Sequence, residues 1–486
     1  MLLALALACC LIGQAWAVTH DEIPDRIRHR LPEFILNMIE PAALAVLSLD
    51  DLEEFADAYQ RGQMRFVAEV VIEDSSGPLT PQQAALVLQV PQGAPYVEAR
   101  FERMAKWAYG QGIFTRLEWE VWENTDGSVD IHLWYASRQS TVVAPDISYN
   151  SLAGWLYGVR YDDYYYGGEN KQLHASTQFS ENFGNEPKVR LSWTDNTVNN
   201  GRNTYFVTGQ VSSQWRQRLR DTTNQMNVRP RAVELDAGYA WNGVKLGGLS
   251  GSVTLGAGGY DQDFYVLGVH QDIAEDLPRS DFTHAGSGGY LSLSYSAARR
   301  DMMFTPRDGY YLLGRVEQHL GDFDFRRFKL DARTYIPAPN ILGRESQQVR
   351  DGAHLDVRRL FPTASLAFQL QSNLADGDVP YNREIWVDSS NVARGFLYDS
   401  HAGTKLVSGR AEYRFSLDNA GEYEGFVFSD HAGLGETLDD LQGFHSYGLG
   451  TLLTVPVYGG IKIGGYYGFS YDGADNGWGL SFGYQF

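Results

Sequence analysis

The sequence predicts a mainly β protein, an antiparallel transmembrane β-barrel of about 16 strands preceded by one small α/β domain. Three features carry that expectation. From residue 139 onward, the chain repeats runs of about ten residues that alternate apolar and polar side chains, divided by Gly- and Asp-rich loops. Charged residues fall on one face of these runs and aromatics on the other, as a lipid-facing wall around a wet interior requires. Beyond residue 17 no apolar run is long enough to cross a bilayer as a helix, and a barrel is the other structure that satisfies its backbone in lipid.

The elements follow in chain order. Residues 1–17, "MLLALALACCLIGQAWA", form an apolar run ending in the small-x-small pattern Ala15-Trp16-Ala17 and read as a secretory signal cleaved after Ala17. A lipoprotein reading with Cys9 acylated would leave a very short apolar core. Both cysteines lie in this segment, so the exported chain is expected to hold no disulfide and no cysteine metal site. Residues 18–62 read as helical: Phe34 to Glu40 has helical spacing, and Ser48-Leu-Asp-Asp51 supplies the cap and acidic first turn of a helix running to about Arg61.

Residues 63–138 have another character. "MRFVAEVVIE" alternates as a strand with Phe66, Ala68, Val70 and Ile72 on one face, and Thr80-Pro81 opens a short helix. Phe101, Met104, Ala105 and Ala108 make the buried stripe of a second helix that Gly110 and Gly112 end. Leu117, Trp119 and Val121 then alternate against Val129, Ile131, Leu133 and Tyr135 across the turn Asn124-Thr-Asp-Gly127, a hairpin. The order strand, helix, helix, strand, strand, with a Gly-containing loop before the second helix, resembles a POTRA domain, the periplasmic module of outer-membrane assembly and secretion proteins. One such unit is read here.

Residues 139–486 read as the barrel, with runs such as "AVELDAGYAW", "ASLAFQLQS" and "GIKIGGYYGFSY". In "GRAEYRFSL" Arg410, Glu412, Arg414 and Ser416 share one face while Ala411, Tyr413, Phe415 and Leu417 share the other. The chain closes on Trp478, Leu480, Phe482, Tyr484 and Phe486, a strict period of two to the last residue. An exposed strand ending on aromatics invites aggregation in a soluble protein. This ending resembles the closing strand and sorting signal of bacterial outer-membrane barrels.

Other functions are excluded or unsupported. A formal net charge of −20 argues against nucleic acid, which needs a basic face to displace phosphate counterions. Gly479-Leu-Ser-Phe-Gly483 matches a hydrolase elbow in form, yet an acid and a histidine would have to follow it. No catalytic residue, metal site or cofactor is expected: the histidines show no paired metal spacing, and the turns Ala375–Asp378 and Asp472–Asn476 are too short for a full calcium ligand set.

One stretch is explained by neither strand period nor turn chemistry: "NVARGFLYDS", with Arg394, Gly395 and Phe396 at its centre. Preceded by Val392-Ala393, it resembles the Val-Arg-Gly-Phe/Tyr loop motif of the superfamily of BamA, TamA and two-partner-secretion transporters. "FTPRDGYYLLG" at 304–314 and "YGLGTLLTVPVYGGIKIGGYYGFS" resemble that superfamily's strand start and penultimate hairpin. The resemblance implies a loop folded back into the barrel whose arginine meets acids on the following strands, by position Glu412 and Asp430. Alternation sets Asp430 on one face with Phe426 and Phe428, which makes its inward placement the less secure of the two. Physically, a guanidinium in a partly dry interior must be paired, and its planar fork takes two carboxylates. Gly395 allows a tight turn, and Phe396 is expected to wedge against the wall.

The resemblance further implies a bacterial outer-membrane protein, its small domain in the periplasm, that inserts or translocates unfolded outer-membrane or secreted polypeptides without covalent chemistry. Its partners would be outer-membrane lipid, those clients, and a periplasmic chaperone or accessory protein at the small domain. Two alternatives stand beside it: a two-partner-secretion pore with the helical 18–62 segment as plug, and a passive porin-like channel.

Overall fold

The computed structural model describes Arg30 and residues 49–482 apart from short internal stretches, the longest being 270–284 and 343–354. The expected signal segment, most of the helical 18–62 arm, and Tyr484 and Phe486 lie outside the described residues.

Helix α1 (Leu49–Gln60) covers the described part of the helix expected to run to about Arg61. It lies on the small domain, where Glu54 pairs with Arg103 and the Arg100 guanidinium sits 4.5 Å over the Phe55 ring. This described part of the arm is therefore packed on a neighbouring helix and does not plug the large sheet.

The small domain holds β1 (Arg65–Ser76), α2 (Pro81–Val87), β2 (Pro95–Tyr96), α3 (Glu98–Gly110), β3 (Phe114–Glu123) and β4 (Val129–Ser137). β4 is central, parallel to β1 and antiparallel to β3. α2 opens with a reciprocal cap: the Gln83 amide donates to Thr80 Oγ1 and the Thr80 amide to Gln83 Oε1. The core is built from Leu88, Phe101, Trp119, Ile131, Leu133 and Tyr135. One expected face is shifted. A bulge between Val67 and Glu69 breaks the period of two, so Val67 is buried where Phe66 and Ala68 were expected, before Val70 and Ile72 resume the pattern.

The large sheet contains β5 (Thr141–Asn150), β6 (Gly154–Asp163), β7 (Lys171–Ser180), β8 (Lys188–Asp195), β9 (Asn203–Ser213), β10 (Arg216–Arg220), β11 (Thr223–Leu246), β12 (Leu249–Val269), β13 (Gly286–Arg300), β14 (Gly309–Gly321) and β15 (Phe325–Ala338). After the two-residue β16 (Leu355–Asp356) it resumes with β17 (Ala364–Gly377). Past β18 (Ile385–Trp386) and β19 (Ala402–Gly403) come β20 (Lys405–Ser416), β21 (Tyr423–Gly435), β22 (Gln442–Val455), β23 (Ile461–Ser470) and β24 (Asn476–Phe482).

Pairing runs antiparallel from neighbour to neighbour, from β5 to β9, from β9 to β11, and on to β24, which pairs with β5. Among the described residues that makes 16 strands, the number expected, with β10 as an added arm on β11. Burial is inverted relative to a soluble sheet. The exposed face carries Leu235, Leu255, Leu291, Leu370, Leu449 and Tyr447, while the covered face holds Glu317, Arg410, Glu412, Arg414 and Asp430. An apolar exterior over a charged interior is the pattern of a wall in lipid. No helix among the described residues is long and apolar enough to cross a membrane.

The boundary near residue 138 conceals one connection. The β15–β17 link reaches back to the small domain, where Leu355 pairs with Trp119 and Asp356 with Glu118. A 3-10 turn follows (Val357–Leu360), and Val357 and Phe361 enter the small domain's core. Beside it the end of α3 abuts the β13–β14 turn: a Cβ on Gly110 would lie 1.8 Å from the Asp301 carbonyl oxygen, so glycine is required there.

Candidate functional site

The β15–β17 link lies at the small-domain end of the sheet, so β17 leads away from that domain and the loop after it, 378–404, starts at the far end. Loop residues Ile385, Val387 and Ala393 pack with Leu406, Ala432, Leu434 and Phe444 on the covered wall. A hydrophobic cluster thus folds the loop inward, and Arg394 reaches the middle of β20 and β21.

There Arg394 is 3% exposed and fully engaged. Its Nε and Nη2 donate to the two Asp430 oxygens, each at 2.8 Å, and its backbone amide donates to Asp430 Oδ2 at 3.0 Å. Nη1 donates to Glu412 Oε2 at 3.0 Å. The other Glu412 oxygen accepts from Arg414 Nε at 2.8 Å, so Glu412 is shared between two guanidinium groups. The Phe428 ring centre lies 3.7 Å from Arg394 Cζ, a cation–π contact on the face of the fork. A flat cation held edge-on by a carboxylate and face-on by a ring has one orientation available to it.

The three residues of the Arg394, Glu412 and Asp430 set thus meet, and Asp430 is bound through more atoms than Glu412. Phe426, Phe428 and Asp430 share one face, as alternation requires, and that face is buried. The aromatics mark the inside here because the guanidinium needs a ring to rest on. Phe396 packs edge-on against Phe444 at 5.3 Å.

Gly395 has φ +94, and a Cβ on it would lie 2.9 Å from the Gly468 carbonyl carbon. A Cβ on Gly477 of β24 would lie 3.0 Å from the Gly395 oxygen. Three glycines thus let the loop tip touch the backbones of β23 and β24. Of the closing-strand residues, Trp478 is 48% exposed and meets Trp155 of β6 at 6.5 Å. Leu480 sits opposite Tyr149 of β5, and Phe482 opposite Ile463 of β23.

Sequence reasoning missed another buried ion pair. Arg307, in the β13–β14 turn, donates to Glu424 Oε1 at 2.9 Å and to the Pro362 carbonyl, tying that turn to β21 and the β15–β17 link. The available signal was on its partner: Glu424 is a charged residue at an inward place in the alternation of β21. Among the described residues no group of three or more His, Cys, Asp or Glu is placed to hold a metal.

Residues 166–484 match the Omp85 superfamily domain. The chain belongs to the Omp85 superfamily. No curated protein sequence matches it. Among solved structures, this Omp85 chain is similar to BamA from Haemophilus ducreyi lacking POTRA domains 1–3, at 14% identity and a TM-score of 0.51 over 86% of this chain and 84% of that one. It is also similar to CdiB from Acinetobacter baumannii, at 10% identity and a TM-score of 0.51 over 96% and 87%. CdiB from Escherichia coli gives 11% identity and the same TM-score over 94% and 88%. The shared fold is the large antiparallel sheet. Superfamily membership makes the chain an outer-membrane β-barrel protein of the class that inserts or secretes polypeptides.

Proposed function

We propose that the chain inserts polypeptide clients into the bacterial outer membrane, with residues 139–486 as a closed barrel and residues 63–138 as a periplasmic POTRA domain. Clients are captured as added strands at the edge of the small sheet. Support comes from β16, an antiparallel strand that the edge of β3 already accepts. Client strands then enter at the junction of β24 and β5, and the Arg394 loop braces the interior behind it. No covalent chemistry is involved, and the partners are lipid and unfolded outer-membrane polypeptides, with room for a periplasmic chaperone at the small domain.

The observation that carries this reading is the junction itself. Among the described residues β24 meets β5 only at Leu480–Tyr149 and Ser481–Ser148, whereas β20 and β21 pair without a break from Lys405–Gly435 to Ser416–Glu424. The two-partner-secretion pore is less favoured, because the described helix of the N-terminal arm rests on α3.

The test is reconstitution in liposomes with an unfolded barrel protein as client. The protein is expected to accelerate client folding, and a disulfide between Ser148→Cys and Ser481→Cys to stop it until reductant is added. Ion conductance without any effect on client folding would instead identify a passive or secretion pore.

A further inference from the structure

The exposed face of β21 and β22 carries two histidines where a wall in lipid calls for apolar side chains. β21 runs from Glu424, tied to the β13–β14 turn, to Gly435, and His431 lies in the half away from the small domain. His431 and His445 are register partners, both exposed, with their Nδ1 atoms 3.1 Å apart. His431 Nε2 is bonded to Ser429 Oγ at 2.9 Å, so the three side chains form one hydrogen-bonded chain. Its outer end is His445 Nε2, which has no hydrogen-bond partner among the described residues. The ring leans over Gly443, where a Cβ would lie 2.9 Å from that nitrogen.

Ionisable side chains that face hydrocarbon are rare and costly, and an unpaired polar atom adds to the cost. The depth of the pair eases it. The amide of Tyr471, a residue 77% exposed, donates to the His445 carbonyl at 2.9 Å, and Tyr447 packs edge-on against the Tyr471 ring at 6.1 Å. Exposed tyrosines on such a wall mark the level where acyl chains give way to headgroups. His431 and His445 therefore stand at headgroup depth.

Beside them the wall is hollow. A groove of about 520 Å³ crosses it from Phe368 and Leu370 on β17, over Gly409 and Ala411 on β20, to Ser429 and His431 on β21. Register sets these residues in two rows, Leu370–Gly409–His431 and Phe368–Ala411–Ser429. The hollow follows from β20 presenting glycine and alanine where its neighbours present larger side chains. A Cβ on Gly409 would have no neighbouring atom nearer than 4.0 Å, so the protein leaves this floor uncovered.

We infer that the groove and the histidine pair together bind one phosphate-bearing lipid, its acyl chain lying over Gly409 and Ala411 and its phosphate accepting a hydrogen bond from His445 Nε2. The groove is continuous with the lipid-facing wall, so an acyl chain enters it without leaving the bilayer. Of a lipid's polar groups the phosphate is the charged acceptor, and hydrogen bonds to charged groups are the stronger ones. Such an acceptor selects the direction in which Ser429 donates to His431 Nε2, His431 Nδ1 donates to His445 Nδ1, and His445 presents its Nε2–H outward.

The experiment is native mass spectrometry of the full-length protein released from nanodiscs that hold equal parts of phosphatidylglycerol, phosphatidylcholine and diacylglycerol, with heat resistance on gels as the fold check. The wild type is expected to retain one phosphate-bearing lipid and no diacylglycerol. His445→Phe keeps a flat ring without its nitrogens and is expected to retain about tenfold less, the worth of one hydrogen bond to a charged group. Gly409→Phe fills the groove and is expected to abolish retention. Both should keep wild-type heat resistance, since neither touches the Arg394 network. If Gly409→Phe costs the fold, Ala411→Leu covers the same floor and must show the loss. Undiminished retention in either folded variant overturns the inference. So does equal retention of diacylglycerol, which would make the groove an acyl contact alone, or a second copy of the chain found in place of the lipid.

Discussion

The wall formed by β20 and β21 and the junction of β24 with β5 are made of the same kind of strand, yet they are held differently. Along the wall every residue from Lys405 to Ser416 has a partner, and the covered face is cross-linked by Arg394, Glu412, Asp430 and Arg414. At the junction two register pairs join the described strands, and the nearest brace is the Gly395 tip against Gly477. Stability is concentrated beside a weak line. Under the proposed function that division is what strand entry needs: the interior network would keep the rest in register while one seam yields.

The largest expected effect is at the centre of the network. Arg394→Ala removes three side-chain bonds and leaves two carboxylates buried with less compensation, a loss on the order of 3–5 kcal/mol. Heat-resistant migration on gels should fall sharply and client folding should cease. Arg394→Lys keeps the charge without the fork and is expected to fall between. Wild-type behaviour in both assays would show that the wall does not depend on the arginine.

Gly395→Ala tests the link between the two regions and should cost less, roughly 1–3 kcal/mol for the positive φ and the close approach to Gly468. Its effect should appear first at the seam. The disulfide between Ser148→Cys and Ser481→Cys should form more slowly, or in lower yield, while the Arg394 pairing keeps most of the heat resistance. An equal loss in both measurements would mean that the tip supports the whole wall and has no special bearing on β24.

How much of this was legible in the sequence depends on the range of the interaction. Alternation is local, so the strands and their count were readable, and Arg394 stood out because it broke that alternation. Asp430 was readable by position, but its neighbours Phe426 and Phe428 pointed the wrong way, since period-two reasoning assigns aromatics to lipid and knows nothing of a guanidinium that needs a ring. Arg307 with Glu424 and Arg383 with Glu234 are charged residues far apart in the chain, and only the register of many strands brings them together. β16 is too short to show a period, and it is recognisable only because Trp119 offers it an edge. The bulge near Ala68 likewise leaves no local mark.

The smallest expected effect lies at the opposite end of the sheet, where the small domain grips it. Asp301 sits in the β13–β14 turn, outside the membrane-spanning strands, and is covered by the end of α3 at Gly110. One of its carboxylate oxygens accepts the amides of Arg307 and Asp308 at 2.8 and 3.1 Å. Burial pushes this carboxyl above the usual range, more than those amides and the charge of Lys106 pull it down. A carboxyl raised on folding favours the protonated native state, so its contribution to stability is complete below about pH 4 and is lost as pH rises through the folded value. Asp301→Asn keeps an oxygen for the two amides and removes the ionisation. Its unfolding midpoint should therefore lie slightly above wild type at neutral pH, with the gap closing as pH falls below about 4. A gap of equal size at every pH would mean that the turn is held by those hydrogen bonds alone, and that α3 does not desolvate the carboxylate by resting on it.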